Sequence, residues 1–138
     1  MQKIIIDTNV LVSALIQKSY PFLIINDLFT EQKTELCISD DIIREYIEVL
    51  SRKRFTQYSE FALKAKLVLT DIEANAKIYT PVVKVRIIKD ISDNKFLELA
   101  ETCKAGFIIT GNINDFTMKS YKKTKIVSPK DYWENYRP

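Results

Sequence analysis

The spacing of apolar and polar residues changes period several times along the chain. Residues 3–6 read Lys-Ile-Ile-Ile with no polar alternation, the pattern of a strand buried on both faces. Residues 10–16 read as a helix, and Pro21 opens a second helix to about Gln32, with Phe22, Ile25, Leu28 and Phe29 on one stripe. Residues 35–38 form another short strand. Ser39 is a predicted N-cap, with Asp40 and Asp41 in the first turn, where the helix dipole favours anions. The helix behind it carries Ile42, Ile43, Tyr46, Ile47 and Leu50 as its core face. Ser59 is predicted to cap a longer helix bearing Phe61, Ala65, Val68, Leu69, Ile72 and Ala76.

Further on, residues 81–88 are rich in β-branched side chains and predicted to be extended, partly as strand. Ser92 is a candidate N-cap for a helix with Phe96, Leu99, Ala100 and Cys103 inward, and Gly106 is expected to end it. Residues 107–110 are a strand, Phe116 and Met118 sit on a short helical turn, and 125–127 are a last strand. Pro129 starts a terminal helix with Tyr132, Trp133 and Tyr136. Wholly apolar strands separated by helices imply a mostly parallel central sheet covered on both faces. The class is therefore α/β with a helical excess, in a single domain over residues 1–138.

Composition narrows the chemistry. The chain has no histidine, which excludes histidine bases, Ser-His-Asp and Cys-His systems, and imidazole-ligated zinc. Cys37 and Cys103, the two cysteines, lie in apolar contexts and read as buried free thiols. No signal-peptide pattern and no run of membrane-spanning length is present, so a cytoplasmic protein is expected. The net charge of +3 is mildly basic. Basic residues cluster at Arg52, Lys53 and Arg54 and again at Lys119, Lys122, Lys123 and Lys125, around Tyr121. Such clusters are ordinarily solvated surface, and they also suit nucleic-acid contact.

Polar residues interrupt the apolar runs where strands end. Asp7-Thr8-Asn9 follows the first strand, Thr110-Gly111-Asn112 with Asp115 follows the fourth apolar run, and Asp90 and Asp93 follow the extended stretch. In open α/β sheets, sites form beyond the carboxyl ends of the strands. Asp93 could simply favour a helix start and Asp115 could cap a turn. Glu45 lies at the margin of its helix's apolar stripe, between Ile42 and Val49. Asp7 has the weakest structural excuse, because a carboxylate directly after a buried strand is costly without a partner. Several acids converging there would repel one another, and a divalent cation would resolve that repulsion. Oxygen ligands without His or Cys select Mg²⁺ or Mn²⁺. Asp7 is accordingly a candidate metal ligand, steadied by Thr8 and Asn9.

The segments IIIDTNVLVSAL, SDDIIREYIEVLSR, DISDNKFLELAETCKAGFIITGNINDF and KIVSPKDYW, in that order, resemble the PIN domain family over essentially the whole chain. That family comprises metal-dependent nucleases and includes the VapC-type toxins of toxin–antitoxin pairs. The resemblance implies a three-layer α/β/α fold. It also implies an acidic set of Asp7, Glu45, Asp93 and Asp115, with Thr110 and Asn112 orienting it. The D-P-x-D form often seen in relatives reads Asp90-Ile91-Ser92-Asp93 here, and many relatives carry an aspartate where Asn112 stands. The implied activity is Mg²⁺- or Mn²⁺-dependent cleavage of RNA, with an antitoxin and a second copy of the chain as partners and no membrane. Two other readings differ in class. One is a PIN-like module that binds RNA or protein without cutting. The other is a haloacid-dehalogenase-like phosphatase, against which Asn9 stands where that chemistry needs its second carboxylate.

Overall fold

The three isoleucines at the start of the chain lie at the centre of the molecule. A computed structural model describes residues 1–86, 93–111 and 118–138. Strand β1 (Gln2–Ile6) buries Ile4, Ile5 and Ile6 almost completely, although successive side chains point to opposite faces. Both faces are therefore covered. β1 pairs in parallel with β2 (Thr34–Ile38) on one side and β4 (Phe107–Ile109) on the other. β3 (Lys77–Ile78) extends the sheet beyond β2, and β6 (Thr124–Val127) lies beyond β4. β5 (Ser120–Tyr121) adds an antiparallel edge to β6, so the order is β3-β2-β1-β4-β6-β5.

Helices fill the two faces and one end. α5 (Asn94–Cys103) packs on β1, β2 and β4, on the face that carries Ile5, Cys37 and Ile108. The other face carries Ile4, Leu36 and Phe107. It meets α2 (Tyr20–Thr30) and the C-terminal segment, where α6 (Pro129–Asp131) widens into a π-wound turn (Tyr132–Tyr136). Phe107 packs edge-on to Tyr132, at 5.4 Å between ring centroids. α1 (Thr8–Ile16) meets α2 at 97°, and α4 (Phe61–Asn75) packs on α1, α3 and β2. Among the described residues no single helix is long and apolar enough to cross a membrane.

α3 (Asp40–Leu50) decides the shape of the site. It packs on α1, α4 and α5 rather than along the strands. Ser39 caps it as expected, its hydroxyl accepting from the Ile42 N–H at 3.3 Å. The Tyr46 ring is fully buried, and its hydroxyl donates to the Ile6 carbonyl at the end of β1. That bond draws the middle of α3 across the carboxyl end of the sheet.

Several local expectations are corrected. α4 starts one residue after Glu60, which takes the left-handed conformation (φ 61°), so Ser59 is not its cap. Lys104, not Gly106, is the left-handed residue that ends α5 (φ 56°). Gly106 instead carries the chain back past β1, its N–H donating to the Lys3 carbonyl at 2.9 Å. Ile47 is 43% exposed, because α3 spans an edge and leaves that side open. Strands β3 and β5 are two residues each, too short to show in the apolar pattern. A short 3₁₀ turn (Lys53–Gln57), which buries Phe55 against Phe61, has no signal there either. Cys37 and Cys103 are buried free thiols, as expected.

Candidate active site

β1 connects to β2 on one side of the sheet, and β4 lies on the other, so the strand order reverses between β1 and β4. A crevice opens at such a point, beyond the carboxyl ends of the two strands. Asp7 and Thr110 are the residues immediately after those ends. The Asp7 N–H donates to the Ile109 carbonyl at 2.9 Å, and the Thr110 N–H to the Val127 carbonyl at 2.9 Å. The sheet's own hydrogen bonding thus continues one residue further and holds both side chains in register. The Thr110 hydroxyl donates to Asp7 Oδ2 at 2.7 Å, and Thr110 is wholly buried.

Asp7 is 7% exposed and occupies the N-cap position of α1, yet its carboxylate makes no capping hydrogen bond. Burial pushes its carboxyl above the ordinary aspartate value. The Thr110 hydroxyl pulls the other way, and the negative charge of Glu45 pushes it up again. The neighbouring N–H groups of Thr8 and Asn9 are weaker stabilising influences. Among the described residues Asp7 takes part in no ion pair. It is a buried acid beside another acid.

Glu45 reaches this point from α3. It accepts a hydrogen bond from the Thr8 hydroxyl and an ion pair from Lys95 Nζ at 2.6 Å. Thr8 is buried at the start of α1, so Asp7, Thr8, Glu45, Lys95 and Thr110 form one connected group drawn from β1, α1, α3, α5 and β4. Asp93 is half-buried at the N-terminus of α5, two residues before Lys95. Among the described residues, no three Asp, Glu, Cys or His side chains are gathered closely enough to hold a metal. Asp90, Asn112 and Asp115 lie outside the described residues.

The donor set suits a hard divalent cation. Asp7 and Glu45 offer carboxylate oxygens, with Thr8 and Thr110 in support, and nitrogen and sulfur ligands are absent from this group. The raised Asp7 carboxyl is the observation that tests the fit. Two acids held close at a buried edge favour the bound cation that would neutralise them.

Of the remaining predicted positions, Asn9 is exposed on α1. Arg52 is exposed and forks onto Glu48, at 2.8 and 3.1 Å. It lies just beyond the C-terminus of α3, where Glu48 chiefly, and Glu45 more weakly, favour its charge. Lys53 and Arg54 are exposed in the following turn, and Lys119 is exposed just before β5. Lys122 and Lys123 form the β5–β6 turn, ahead of Thr124. β6 runs parallel to β4, so that turn lies at the opposite end of the sheet from Asp7. Lys122 is ion-paired with Glu101 there. The structure does not bring Lys122 and Lys123 to the acidic group.

Two site residues carry no functional signal in the sequence. Lys95 stands inside the family-like D-x-K-F-L-E-L-A run, but its spacing gives it no role. Tyr46 reads as core from its spacing, and nothing in the pattern marks its hydroxyl as the tie between α3 and β1.

Comparison with known proteins agrees with this geometry. The PIN domain profile matches residues 3–114. The chain belongs to the PIN domain family. The uncharacterised protein MJ1680 of Methanocaldococcus jannaschii is 28% identical over 142 aligned positions, spanning 97% of this chain and 91% of that protein. Two solved structures share the fold of this PIN domain. One is from VapBC2 of Rickettsia felis bound to a promoter DNA fragment, with a TM-score of 0.58, 12% identity, and coverage of 92% of this chain and 98% of the other. The other is from VapBC-1 of nontypeable Haemophilus influenzae, with a TM-score of 0.59, 14% identity, and coverage of 94% and 99%.

Proposed function

We propose that this PIN domain is a Mg²⁺- or Mn²⁺-dependent endoribonuclease and the toxin of a toxin–antitoxin pair. The observation that carries the nuclease reading is Asp7. It is a buried carboxylate at the strand-order reversal, unpaired by any cation among the described residues, with Glu45 beside it. Asp7 and Glu45 would hold the cation, with Asp93 and Asp115 as the further acids of the set. A bound divalent cation supplies electrophilic stabilisation of phosphodiester charge and activation of water. Thr110 fixes the orientation of Asp7 by occupying Oδ2, and Thr8 does the same for Glu45. Arg52, just beyond the C-terminus of α3 and within electrostatic reach of Glu45, would meet a phosphate of the bound strand.

The antitoxin reading is supported by the VapBC complexes that share the fold. An apolar groove of about 550 Å³ between α1, α2 and α4 is lined by Leu15, Phe22, Ile25, Phe29 and Leu67. Lys18, Lys64 and Asp71 also line it. A partner segment with apolar anchors would fit it.

Incubation of the purified chain with short single-stranded RNA tests the activity. Cleavage is expected with Mg²⁺ or Mn²⁺, to be abolished by EDTA and restored by added Mn²⁺. Cleavage that survives exhaustive chelation overturns the metal mechanism.

A further inference from the structure

Lys95 is in an unfavourable place for its helix. It is the second residue of α5, where the helix dipole disfavours a cation. Tertiary structure accounts for it. Its ammonium sits 2.6 Å from Glu45 Oε1, with both side chains mostly shielded, 18% and 25% exposed. The other Glu45 oxygen accepts from Thr8, the residue next to Asp7. Lys95 is thus a cation held directly on Glu45, which it reaches from α5.

We infer that Lys95 is the resident counter-cation of Glu45 and is exchanged for the divalent metal, so that it sets how tightly the metal binds. This rests on the metal-site reading above. Without metal, the Lys95 ammonium offsets one of two adjacent carboxylates and keeps α3 and α5 together over the site. When a divalent cation takes Glu45, Lys95 must give up that oxygen, and its positive charge then opposes the incoming one. Lys95 is a positioning residue here.

The test uses the full chain freed of metal. Mn²⁺ affinity is measured by calorimetry and melting is measured in EDTA, for wild type, Lys95→Met and Lys95→Arg. Loss of the charge in Lys95→Met is expected to tighten Mn²⁺ binding on the order of tenfold and to lower the EDTA melting temperature. Lys95→Arg should stay near wild type in both. Unchanged or weaker Mn²⁺ binding by Lys95→Met overturns the exchange. Should Lys95→Met fail to fold, the wild-type Lys95 side-chain amine is followed by NMR on adding Mg²⁺. Loss of its ordered signal supports release, and no change overturns it. None of these readouts needs cleavage. Wild-type protein that exchanges as described yet cuts no RNA sinks only the nuclease reading. Wild-type protein that binds no Mn²⁺ overturns the metal site on which both stand.

Discussion

At the scale of single residues, Asp7 is where burial and charge conflict. Its carboxyl is raised by burial first and by Glu45 further down. A group with a raised folded-state pKa contributes most to stability below its unfolded value, and that contribution is lost as pH rises through the folded value. In EDTA the protein should therefore lose stability as pH climbs through and above the ordinary aspartate range. Asp7→Asn keeps the oxygen that accepts from Thr110 and removes the charge. It should melt about 2–5 °C above wild type in EDTA near pH 7, with the gap closing on acidification, while Mn²⁺ affinity falls at least tenfold. Melting scans across pH, with and without Mn²⁺, check both signs. An Asp7→Asn protein less stable than wild type in EDTA would mean that this carboxylate serves the fold.

At the scale of elements, the site depends on α3 lying across the sheet end. Amphipathic spacing forms the helix, and Ser39 starts it with a capping bond worth about 1 kcal/mol. Neither fixes its direction over the sheet. The fully buried Tyr46 does, through its hydroxyl on the Ile6 carbonyl, next to Asp7 in the chain. Tyr46→Phe keeps the ring and removes that bond, leaving a buried acceptor short of a partner. Urea unfolding should show a loss of about 1–3 kcal/mol. Because Glu45 precedes Tyr46, the same variant should bind Mn²⁺ more weakly even where it is fully folded. A Tyr46→Phe protein with lower stability and unaltered metal affinity would separate the hydroxyl from the site.

For the whole molecule, the direction of the strands sorts the basic residues. Arg52 lies near the acidic group, whereas Lys122 and Lys123 turn at the opposite end of the sheet. Arg52→Ala should weaken binding of single-stranded RNA and reduce the salt slope of log K by about 0.7, the share of one neutralised phosphate on a single strand. Lys122→Ala and Lys123→Ala should leave the slope nearly unchanged. Titrations at several salt concentrations, with Ca²⁺ in place of Mg²⁺ to suppress cutting, distinguish the two sets. A larger effect from the Lys122 and Lys123 variants would put the RNA path at the other end of the sheet.

Local sequence determined most of the elements and the position of Asp7. The unbroken, β-branched Ile4-Ile5-Ile6 run reads as a strand covered on both faces, which puts the charged residue directly after it at a sheet end. Helical spacing placed Glu45 at the margin of its apolar stripe, and the ordered motifs marked the PIN domain family. Tertiary structure decided the rest, because it depends on residues far apart in the chain. Thr110 meets Asp7 only because β4 pairs with β1 across 103 residues of separation. Two-residue strands such as β3 carry too little pattern to be read, and Lys104 ends α5 by a backbone conformation that its side chain does not signal. The spacing of Lys95 gives it no role, since only the packing of α5 against α3 brings it to Glu45, 50 residues earlier. A side chain's periodicity tells which way it faces on its own element, and the docking of elements decides what it faces.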